Sequence, residues 1–540
     1  MTATLMTEKK EKFKVLICDD LANEGLGLFQ NEKNLAVVVK TKLPLEELKR
    51  EIADADACIV RSGTQITKEV IEAGLKLKVI GRAGVGLDNV DVETASKKGI
   101  VVINTPGGNT ISAAEHTMCL LTALARNLAL ANNSLKKREW ERKKFTGVEL
   151  FGKTLGVIGL GRIGTEVAKR AQSYGMHIVA YDPFLRSERA QQLGVEQMTL
   201  DELLTCSDFV TLHMPLSPDK KHIIGAEELK KMKKTSRIIN CARGGLVDEN
   251  ALADAIEAGK IAGAGIDVFE SEPPKNFRLI DLPQVLVTPH LGASTEEAQI
   301  AVSVDVAQSV VDFLMGRGVK NAVNVPSVDP KVLKELDPYI RLAEKLGSLQ
   351  TQLIQGHGHI LQVDISYHGD VINYEMTPVT VALIKGLLTP ILAENVNYVN
   401  ASVLAKERGI KITESKSSTQ LSFSNLIRVE VRTDKKKSMV AGTLFTREDP
   451  RVVMIDNFGV EASPEGYLLY ISNNDVPGIV GQIGTILGNN KINIAGMTLG
   501  RDTQGGQART LLKVDGAISE KVMQEIRKAK NILDAMLIKF

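Results

Sequence analysis

The segment at residues 154–182, TLGVIGLGRIGTEVAKRAQSYGMHIVAYD, restricts the fold of this chain more than any other. An apolar run of strand length leads into the pattern G-x-G-x-x-G, formed by Gly159, Gly161 and Gly164. A helical pattern and a second apolar run follow, and that run ends in Asp182. The segment therefore predicts a strand, a tight turn, a helix and a second strand, which begin a doubly wound parallel sheet.

Each glycine has a separate physical reason in this pattern. Gly159 makes the turn, Gly161 lets the backbone approach a pyrophosphate, and Gly164 lets the helix pack closely on the sheet. Backbone amides at the helix start then face the pyrophosphate. Asp182 lies near the spacing of about 20 residues at which an acid binds the ribose hydroxyls. Because no arginine follows Asp182 directly, the pattern predicts NAD rather than NADP as the cofactor.

Composition and charge restrict the class of protein. The 540 residues predict about three or four domains, with the 44% hydrophobic content of ordinary globular proteins. A net charge of +2 gives no reason to expect nucleic acid or a membrane as a partner. The N-terminus lacks the apolar core of a secretory signal, so we expect a cytoplasmic protein. The five cysteines show no metal-binding spacing, so we expect no metal site.

The first hundred residues alternate apolar runs with helical patterns, which predicts another parallel sheet. The apolar runs are residues 13–18, 57–60, 78–81 and 100–104. Loops after parallel strands form the ligand site of an open α/β sheet. Two such loops carry Arg61-Ser62 and Arg82, and the planar fork of arginine suits the recognition of anions. An ion pair at the domain surface explains each arginine equally well.

Three ionisable residues, Arg243, Glu272 and His290, follow predicted strands of the cofactor-binding half. Oxidising an alcohol requires a group that removes the hydroxyl proton, and histidine suits this because its ordinary pKa is about 6.5. A carboxylate can hold the other ring nitrogen and stabilise the imidazolium. An arginine can bind a substrate carboxylate through two hydrogen bonds. Together with a dinucleotide site, the three residues predict the oxidation of a 2-hydroxy acid.

One long helix is predicted for residues 110–134, because its centre is apolar on nearly all sides. The charged segment 139–144 follows and contains the only tryptophan, Trp140. A solvated turn explains this segment, and a basic edge that reaches a phosphate in a neighbouring subunit is the alternative.

Residues 13–325 resemble the D-isomer-specific 2-hydroxyacid dehydrogenases. The matching blocks are VIGLGRIG, NCARGGLVDENAL, AGAGIDVFESEPP and TPHLGAST. Within the family, IVRSGTQIT, GRAGVGLDNVD and NTPGGNTISAAEHT are nearer to the members that oxidise D-3-phosphoglycerate. The resemblance implies NAD-dependent oxidation of D-3-phosphoglycerate to 3-phosphooxypyruvate, the first step of L-serine biosynthesis.

The resemblance also implies roles for individual residues. His290 is expected to be the acid/base, Glu272 its partner and Arg243 the clamp on the substrate carboxylate. Arg61, Ser62 and Arg82 are the candidates for the anionic ends of the substrate. The expected cofactor contacts, besides the three glycines, are Val85, Arg162, Ile163, Asp182, Met214, Cys241, Ala242, Arg243, Asp267, His290, Leu291, Gly292 and Ala293. Val85 and Met214 stand where the family often has threonine, so a hydroxyl contact is lost unless the backbone makes it.

The predicted fold class is α/β, with two Rossmann-like doubly wound lobes, an α+β intervening domain and a C-terminal ferredoxin-like βαββαβ domain. The family fold implies a discontinuous substrate lobe at residues 1–108 and 303–328, and an NAD-binding lobe at 109–302. Closure of these lobes about a hinge would exclude water. Residues 329–460 are the expected intervening domain, and 466–540 resemble the ACT domain, an amino-acid sensor that usually forms a side-by-side dimer.

Asn473, Asp475 and Asn493 match the ligand positions of the ACT family. The resemblance implies that they bind an amino-acid effector, with L-serine as the candidate, and that the protein associates to a dimer or homotetramer. A structural alternative is that Asp475 caps the next helix, for which residues 475–478 predict the start, with Pro477 in its first turn.

Three other functions remain open from the sequence. The first is a dehydrogenase whose substrate is another D-2-hydroxy acid, such as glycerate or lactate, although Arg61 and Arg82 favour a substrate with a second anionic group. A non-catalytic, NAD-sensing corepressor on the same fold is the second, and the amino-acid-sensing tail argues against it. An amino-acid-binding regulator with an inactive front half is the third, and Arg243, Glu272 and His290 argue against it.

Overall fold

The structure is a computed structural model that describes residues 12–326, 330–392, 395–418 and 422–540. These residues contain four β-sheets, two of them parallel, one mixed and one antiparallel. Within the described ranges, no helix combines the length and the apolar character that crossing a bilayer requires.

The first sheet has five parallel strands in the order β2-β1-β3-β4-β5. Its elements are β1 (Phe13–Ile17), α1 (Asn23–Asn31), β2 (Leu35–Val39), α2 (Leu45–Ile52), β3 (Ala57–Val60), α3 (Lys68–Ala73), β4 (Val79–Arg82), α4 (Val92–Lys97) and β5 (Val101–Ile103). The inner strands are mostly apolar because helices cover both faces. The edge strand β2 was missed, although its sequence LAVVV carried the apolar signal.

The second sheet has seven parallel strands in the order β12-β11-β10-β9-β6-β7-β8. Its strands are β6 (Thr154–Ile158), β7 (His177–Tyr181), β8 (Glu196–Gln197), β9 (Phe209–Leu212), β10 (Arg237–Asn240), β11 (Gly263–Ile266) and β12 (Val285–Val287). Its helices are α5 (Thr110–Ala125), α6 (Leu128–Lys136), α7 (Arg162–Ser173), α8 (Ser187–Leu193), α9 (Leu200–Cys206), α10 (Ala226–Lys231) and α11 (Glu249–Glu257). The strand order reverses beside β6, and a reversal of this kind forms the ligand crevice of doubly wound sheets.

The prediction of one helix over residues 110–134 was wrong, because α5 and α6 are separate helices. Asn127 lies between them with a φ of 51°. This left-handed conformation cannot continue an α-helix, and asparagine adopts it more readily than most residues. The segment after α6 leaves the Trp140 side chain 76% exposed.

Helix α12 (Glu296–Leu314) follows the second sheet in the chain but packs on the first. Val306 and Val310 belong to the buried cluster that also holds Val15 and Ile59 of the first sheet. Thr295 caps the helix, because its hydroxyl accepts a hydrogen bond from the amide of Ala298. This packing fits the discontinuous first lobe that the family resemblance implies, whose boundaries stay a prediction.

The mixed sheet has the order β14-β13-β15-β16-β17-β18, with β13 and β14 parallel and the other pairs antiparallel. Its elements are α13 (Pro330–Leu353), β13 (Ile360–Gly369), α14 (Thr377–Leu388), α15 (Ala401–Glu407), β14 (Lys411–Ser417), β15 (Asn425–Thr433), β16 (Lys437–Thr446), β17 (Asp449–Ile455) and β18 (Phe458–Ala462). Helices α13 and α14 cross at Gly347 and Gly386, where a Cβ atom would lie 2.1 Å and 1.9 Å from backbone oxygens of the other helix.

The antiparallel sheet has the ferredoxin-like order β20-β21-β19-β22. Its elements are β19 (Tyr467–Asn474), α16 (Ile479–Asn489), β20 (Ile494–Arg501), β21 (Gln507–Val514), α17 (Glu520–Lys528) and β22 (Ile532–Lys539). The predicted βαββαβ order is confirmed. Pro477 lies before α16 rather than in its first turn, because Gly478 has a left-handed φ of 96° and the helix begins only after it, at Ile479.

Candidate active site

The turn between β6 and α7 has the geometry of a phosphate-binding loop. Gly159 has a φ of 91°, and a Cβ atom there would lie 2.6 Å from the carbonyl oxygen of His213. A Cβ atom at Gly164 would lie 2.1 Å from the oxygen of Gly159. Apart from its chain neighbours, the part of the chain that the structure describes has no heavy atom within 4 Å of the corresponding position at Gly161. The turn is therefore closed on its inner side and open on the side where a pyrophosphate would approach.

Asp182 follows β7 and is fixed by backbone amides. Its Oδ2 accepts a hydrogen bond from the amide of Leu160 at 2.9 Å, and its Oδ1 accepts one from Phe184 at 2.9 Å. The first of these bonds attaches the carboxylate to the glycine turn. Asp182 thus occupies the place of the ribose-binding acid in the dinucleotide fingerprint.

His290 and Glu272 form a charge-assisted pair. Nδ1 of His290 donates a hydrogen bond to Oε2 of Glu272 at 2.6 Å, and the amide of Phe269 donates to Oε1 at 3.1 Å. The hydrogen bond and the charge of Glu272 raise the pKa of His290 above its ordinary value. Burial opposes ionisation of Glu272, but the bond and the charge of His290 outweigh it, so the pKa of Glu272 is lowered. The pair favours the imidazolium–carboxylate state.

Arg243 extends from the second sheet towards the first. Its Nε lies 3.3 Å from Oδ2 of Asp88, and a Cβ atom at Gly86 would lie 2.3 Å from its Nη2. The same guanidinium lowers the pKa of His290 by charge repulsion, although this effect is smaller than that of Glu272. Arg243 is therefore near both the His290–Glu272 pair and the first sheet.

Arg82, one of the predicted substrate-binding residues, lies close enough to Arg243 and Arg61 to be affected by their charges. Burial, followed by the positive charge of Arg243 and a smaller contribution from Arg61, lowers the pKa of Arg82 to about 10. A Cβ atom at Gly84 would lie 1.5 Å from Nη1 of Arg82, so the guanidinium rests against bare backbone. Arg61 donates from Nη1 to the carbonyl of Asp20 at 3.2 Å. Ser62, the next residue, is exposed.

The remaining predicted cofactor residues lie near the carboxyl edge of the second sheet or across from it. The carbonyl of Val85 accepts a hydrogen bond from Nδ2 of Asn104 at 2.8 Å. Because valine has no hydroxyl group, its side chain offers only apolar contact. Burial raises the pKa of the Cys241 thiol to about 12. Half-buried or exposed positions are taken by Arg162, Ile163, Met214, Ala242, Leu291 and Ala293.

Asp267, a further cofactor candidate, is a fully buried carboxylate. Its carboxylate oxygens accept hydrogen bonds from the amides of Leu291 at 2.7 Å and Gly292 at 2.9 Å. His116 and Thr288 also contact this carboxylate, at 3.2 Å and 2.6 Å. The structure thus assigns the side chain of Asp267 to support of the turn at residues 290–292.

Several neighbours of the site were missed by sequence reasoning. Asp88 and His116 lie in blocks that we quoted for the family resemblance, GRAGVGLDNVD and NTPGGNTISAAEHT, but their roles depend on contacts between distant strands. Arg82 Nε, Thr105 Oγ1 and Asn109 Oδ1 are buried and lack a hydrogen-bond partner among the described residues. Such orphaned polar atoms at the edge of a crevice fit a site that receives polar ligands.

The three effector candidates differ in accessibility. Asn473 is 1% exposed, and its Oδ1 accepts from the hydroxyl of Thr510 at 3.0 Å. Asp475 accepts from the amide of Gly505 at 3.2 Å and therefore does not cap α16. Asn493 is exposed and donates to Oδ2 of Asp515 at 2.8 Å. Asn493 is thus accessible to a ligand, whereas Asn473 lies inside the sheet. The Asp475 side chain is 20% exposed and faces Arg501 at 3.3 Å.

Three family models match the chain. The D-isomer specific 2-hydroxyacid dehydrogenase NAD binding domain matches residues 118–292. The D-3-phosphoglycerate dehydrogenase intervening domain matches residues 335–456, and the ACT domain matches residues 467–531.

Relatives match over nearly the full chain. D-3-phosphoglycerate dehydrogenase of Synechocystis sp. is 44% identical over 97% of this chain and 94% of its own length. The enzyme of that name from Methanocaldococcus jannaschii is 45% identical over 97% of this chain and 99% of its own. D-Lactate dehydrogenase from Aquifex aeolicus, solved with NAD and lactic acid, is 30% identical with a TM-score of 0.52. That similarity covers 58% of this chain and all of the solved chain.

We predict that Asp182→Ala reduces the preference for NAD over NADP. Removing a charged acceptor of ribose hydroxyls costs about 1.5–3 kcal/mol, or roughly 10- to 150-fold in affinity. Fluorescence titration with NADH and NADPH measures the ratio of the two dissociation constants. Glu188→Ala, an exposed acid on α8, is the control and should leave the ratio unchanged. A ratio that is equal in wild type and Asp182→Ala contradicts the assignment.

Proposed function

Because the chain belongs to the D-3-phosphoglycerate dehydrogenases, within the D-isomer-specific 2-hydroxyacid dehydrogenase family, we propose that it oxidises D-3-phosphoglycerate to 3-phosphooxypyruvate. NAD is the cofactor, and the reaction is the first step of L-serine biosynthesis. The observation that carries the proposal is the His290–Glu272 pair beside Arg243, in a chain 45% identical over 97% of its length to an enzyme of that name. The open glycine turn and the fixed carboxylate of Asp182 fit the cofactor.

The acid/base step follows from the tautomer of His290. A carboxylate can only accept, so Nδ1 carries a proton for its bond to Glu272, and in the neutral ring the lone pair is on Nε2. Nε2 therefore takes the proton of the substrate hydroxyl, and Glu272 stabilises the imidazolium that forms. When bound, NAD would accept the hydride from the substrate carbon that carries this hydroxyl.

The cations around the site select the substrate. Arg243 binds the carboxylate next to the reacting carbon, where its planar fork also fixes the orientation of the alcohol. Arg61, Ser62 and Arg82 bind the phosphate end. The mutual repulsion of Arg61, Arg82 and Arg243 is relieved by an anion with two charged ends. This favours a phosphorylated hydroxy acid over lactate or glycerate.

Movement of two lobes completes the site. The proposed substrate lobe consists of residues 1–108 and 303–328, and the proposed cofactor lobe of residues 109–302. Arg82 and Arg243 come from different lobes, so a substrate held by both requires them to close. Closure excludes water from the reacting atoms. Residues 106–108 and the start of α12 are the proposed hinges.

Self-association is proposed through the cofactor lobe. Leu128, Leu135, Trp140 and Phe151 are 59%, 57%, 76% and 77% exposed. Large apolar side chains this exposed are typical of a surface that another subunit covers. A dimer formed there and a second contact between ACT domains would produce a homotetramer in the cytoplasm.

L-Serine is the proposed effector of the ACT domain. Asp475 offers an anionic group just before α16, and the exposed Asn493 offers an amide group just after that helix, at the opposite end of the sheet. These groups suit the ammonium and hydroxyl of serine, whose carboxylate is favoured near the amino end of a helix. An end product that binds outside the active site would regulate the first enzyme of its own pathway.

A substrate panel tests the proposed reaction. With NAD, we expect a kcat/KM at least 100-fold higher for D-3-phosphoglycerate than for D-glycerate or D-lactate, because only the first has a phosphate for Arg61 and Arg82. Formation of NADH is followed by absorbance. In His290→Ala we expect no measurable turnover while NADH still binds.

His222→Ala is the matched control, because His222 forms a similar pair with Glu270 at 2.9 Å outside the proposed site. Equal kcat/KM values for lactate and D-3-phosphoglycerate, or normal turnover in His290→Ala, would contradict the proposal.

The pH dependence tests the role of Glu272. Neutral His290 is required for oxidation, so kcat/KM should rise as pH increases through its raised pKa. Glu272→Gln removes the charge that raises this pKa, so the rising limb should move to lower pH. The plateau value of kcat/KM at high pH should fall about 100- to 10,000-fold, because the imidazolium loses the carboxylate that stabilises it. If the rising part of the pH profile of kcat/KM lies at the same pH in wild type and Glu272→Gln, Glu272 does not set the pKa of His290.

Calorimetry tests the effector site. Wild-type protein should bind L-serine, and Asn493→Ala should weaken binding about 10-fold through loss of one hydrogen bond. Lys521→Ala, an exposed change on α17, is the control. A separate assay of activity with and without serine is needed, because binding alone does not demonstrate coupling. Equal affinity in wild type and Asn493→Ala would remove Asn493 from the site.

A further inference from the structure

The turn that carries His290 depends on one buried carboxylate. His290 has a φ of 55°, a left-handed conformation that non-glycine residues adopt only with support from their surroundings. The amide of His290 donates to the carbonyl of Asp267 at 2.8 Å. The carboxylate of Asp267 accepts from the next two amides of the turn, those of Leu291 and Gly292. The position of His290 therefore follows that of Asp267.

His116 holds this carboxylate from α5. Its Nε2 lies 3.2 Å from Oδ1 of Asp267 and 3.0 Å from the hydroxyl oxygen of Thr288. Thr288 donates its only hydroxyl proton to Asp267 at 2.6 Å, so both atoms that face Nε2 are acceptors. Nε2 must therefore carry a proton and donate it. The three side chains form one hydrogen-bonded network behind the catalytic turn.

Helix α5 makes a second contact with the same turn. Ser112 lies one helical turn before His116 and on the same face. Its hydroxyl donates to the carbonyl of Gly292 at 3.0 Å. Since α5 begins at Thr110, directly after the proposed hinge at residues 106–108, the first helix after the hinge is attached to the turn that bears His290.

We propose that His116 is a positioning residue, which fixes the orientation of His290 through Asp267 and Thr288 and attaches the catalytic turn to the helix after the hinge. The inference rests on the oxidation proposed above, because it gives His116 a role in that reaction. His116 acts through other groups and does not exchange a proton with the substrate.

A metal ion is a weaker explanation for this cluster. Potential ligand atoms of His116, Cys241 and Asp267 lie within 4.8 Å of one another. However, the oxygens of Asp267 already accept four hydrogen bonds, and Nε2 of His116 acts as a donor. Burial raises the pKa of the Cys241 thiol to about 12, which keeps it protonated. Metal binding requires these groups in deprotonated form, so the geometry favours the hydrogen-bonded network.

Kinetics of three variants test the inference. In His116→Ala we expect kcat to fall about 10- to 100-fold through misplacement of His290, with little change in KM or in NADH affinity. His116→Gln places an amide donor at a similar reach and should recover most of kcat. Glu115→Ala is the matched control on the same helix, because its exposed carboxylate faces Arg170 at 3.6 Å. A kcat in His116→Ala equal to that of Glu115→Ala overturns the proposal.

A second readout does not depend on turnover. The hydrogen bond to Glu272 is the largest contribution that raises the pKa of His290, and misplacement of His290 weakens that bond. Titration of ¹³C-labelled histidines by NMR, without cofactor, should therefore show a downward shift of the pKa of His290 in His116→Ala. The His290 signal is identified by its absence in His290→Gln. An unchanged titration overturns the proposal even if the wild type proves inactive on every hydroxy acid tested.

Thr288→Val tests the same network if His116→Ala fails to fold. It removes the hydroxyl that links His116 to Asp267, and we expect a fall in kcat in the same direction, with KM again preserved. When both substitutions fold, their combination should cost little more than either alone, because they break one network. Additive losses, or wild-type kcat in Thr288→Val, count against the proposal.

Discussion

Parallel pairing of strands is the constraint on which the site depends. In the first two sheets every strand runs in the same direction, so each loop that follows a strand emerges at one edge. Loops after β3 and β4 carry Arg61 and Arg82, and loops after β10, β11 and β12 carry Arg243, Glu272 and His290. Residues far apart in the chain therefore meet at one crevice, without any local sequence pattern that brings them together.

The chemistry of this crevice is a balance of charge. Burial, together with repulsion from Arg243 and a smaller repulsion from Arg61, lowers the pKa of Arg82. Arg243 also opposes protonation of His290, whereas Glu272 supports it. An anionic substrate bound here would neutralise the arginines without removing the partner of His290. The site is thus arranged to gain from an anion that has charge at both ends.

The C-terminal half is attached to the rest in two different ways. Leu468 and Tyr470 of the ACT sheet belong to the same buried cluster as α13 and α14 of the mixed sheet, so these two units share one hydrophobic core. The contact with the first sheet is more polar, with Asn397 donating to the carbonyl of Gly99 at 2.8 Å and Lys97 facing Glu407 at 3.0 Å. Polar contacts of this kind allow relative motion more readily than a shared core.

The glycine turn, the acid at Asp182 and the βαββαβ order of the last domain could be predicted from the sequence, because each depends on spacing within one short segment. Glu272 and His290 could be named as candidates, since each follows a strand, but the sequence did not establish that their side chains meet. The break at Asn127, the burial of Asn473 and the support of the turn at residues 290–292 by Asp267 became apparent only in the folded chain. These features depend on contacts between separate elements. The residue type alone does not show whether a carboxylate faces a ligand or the backbone of a neighbouring turn.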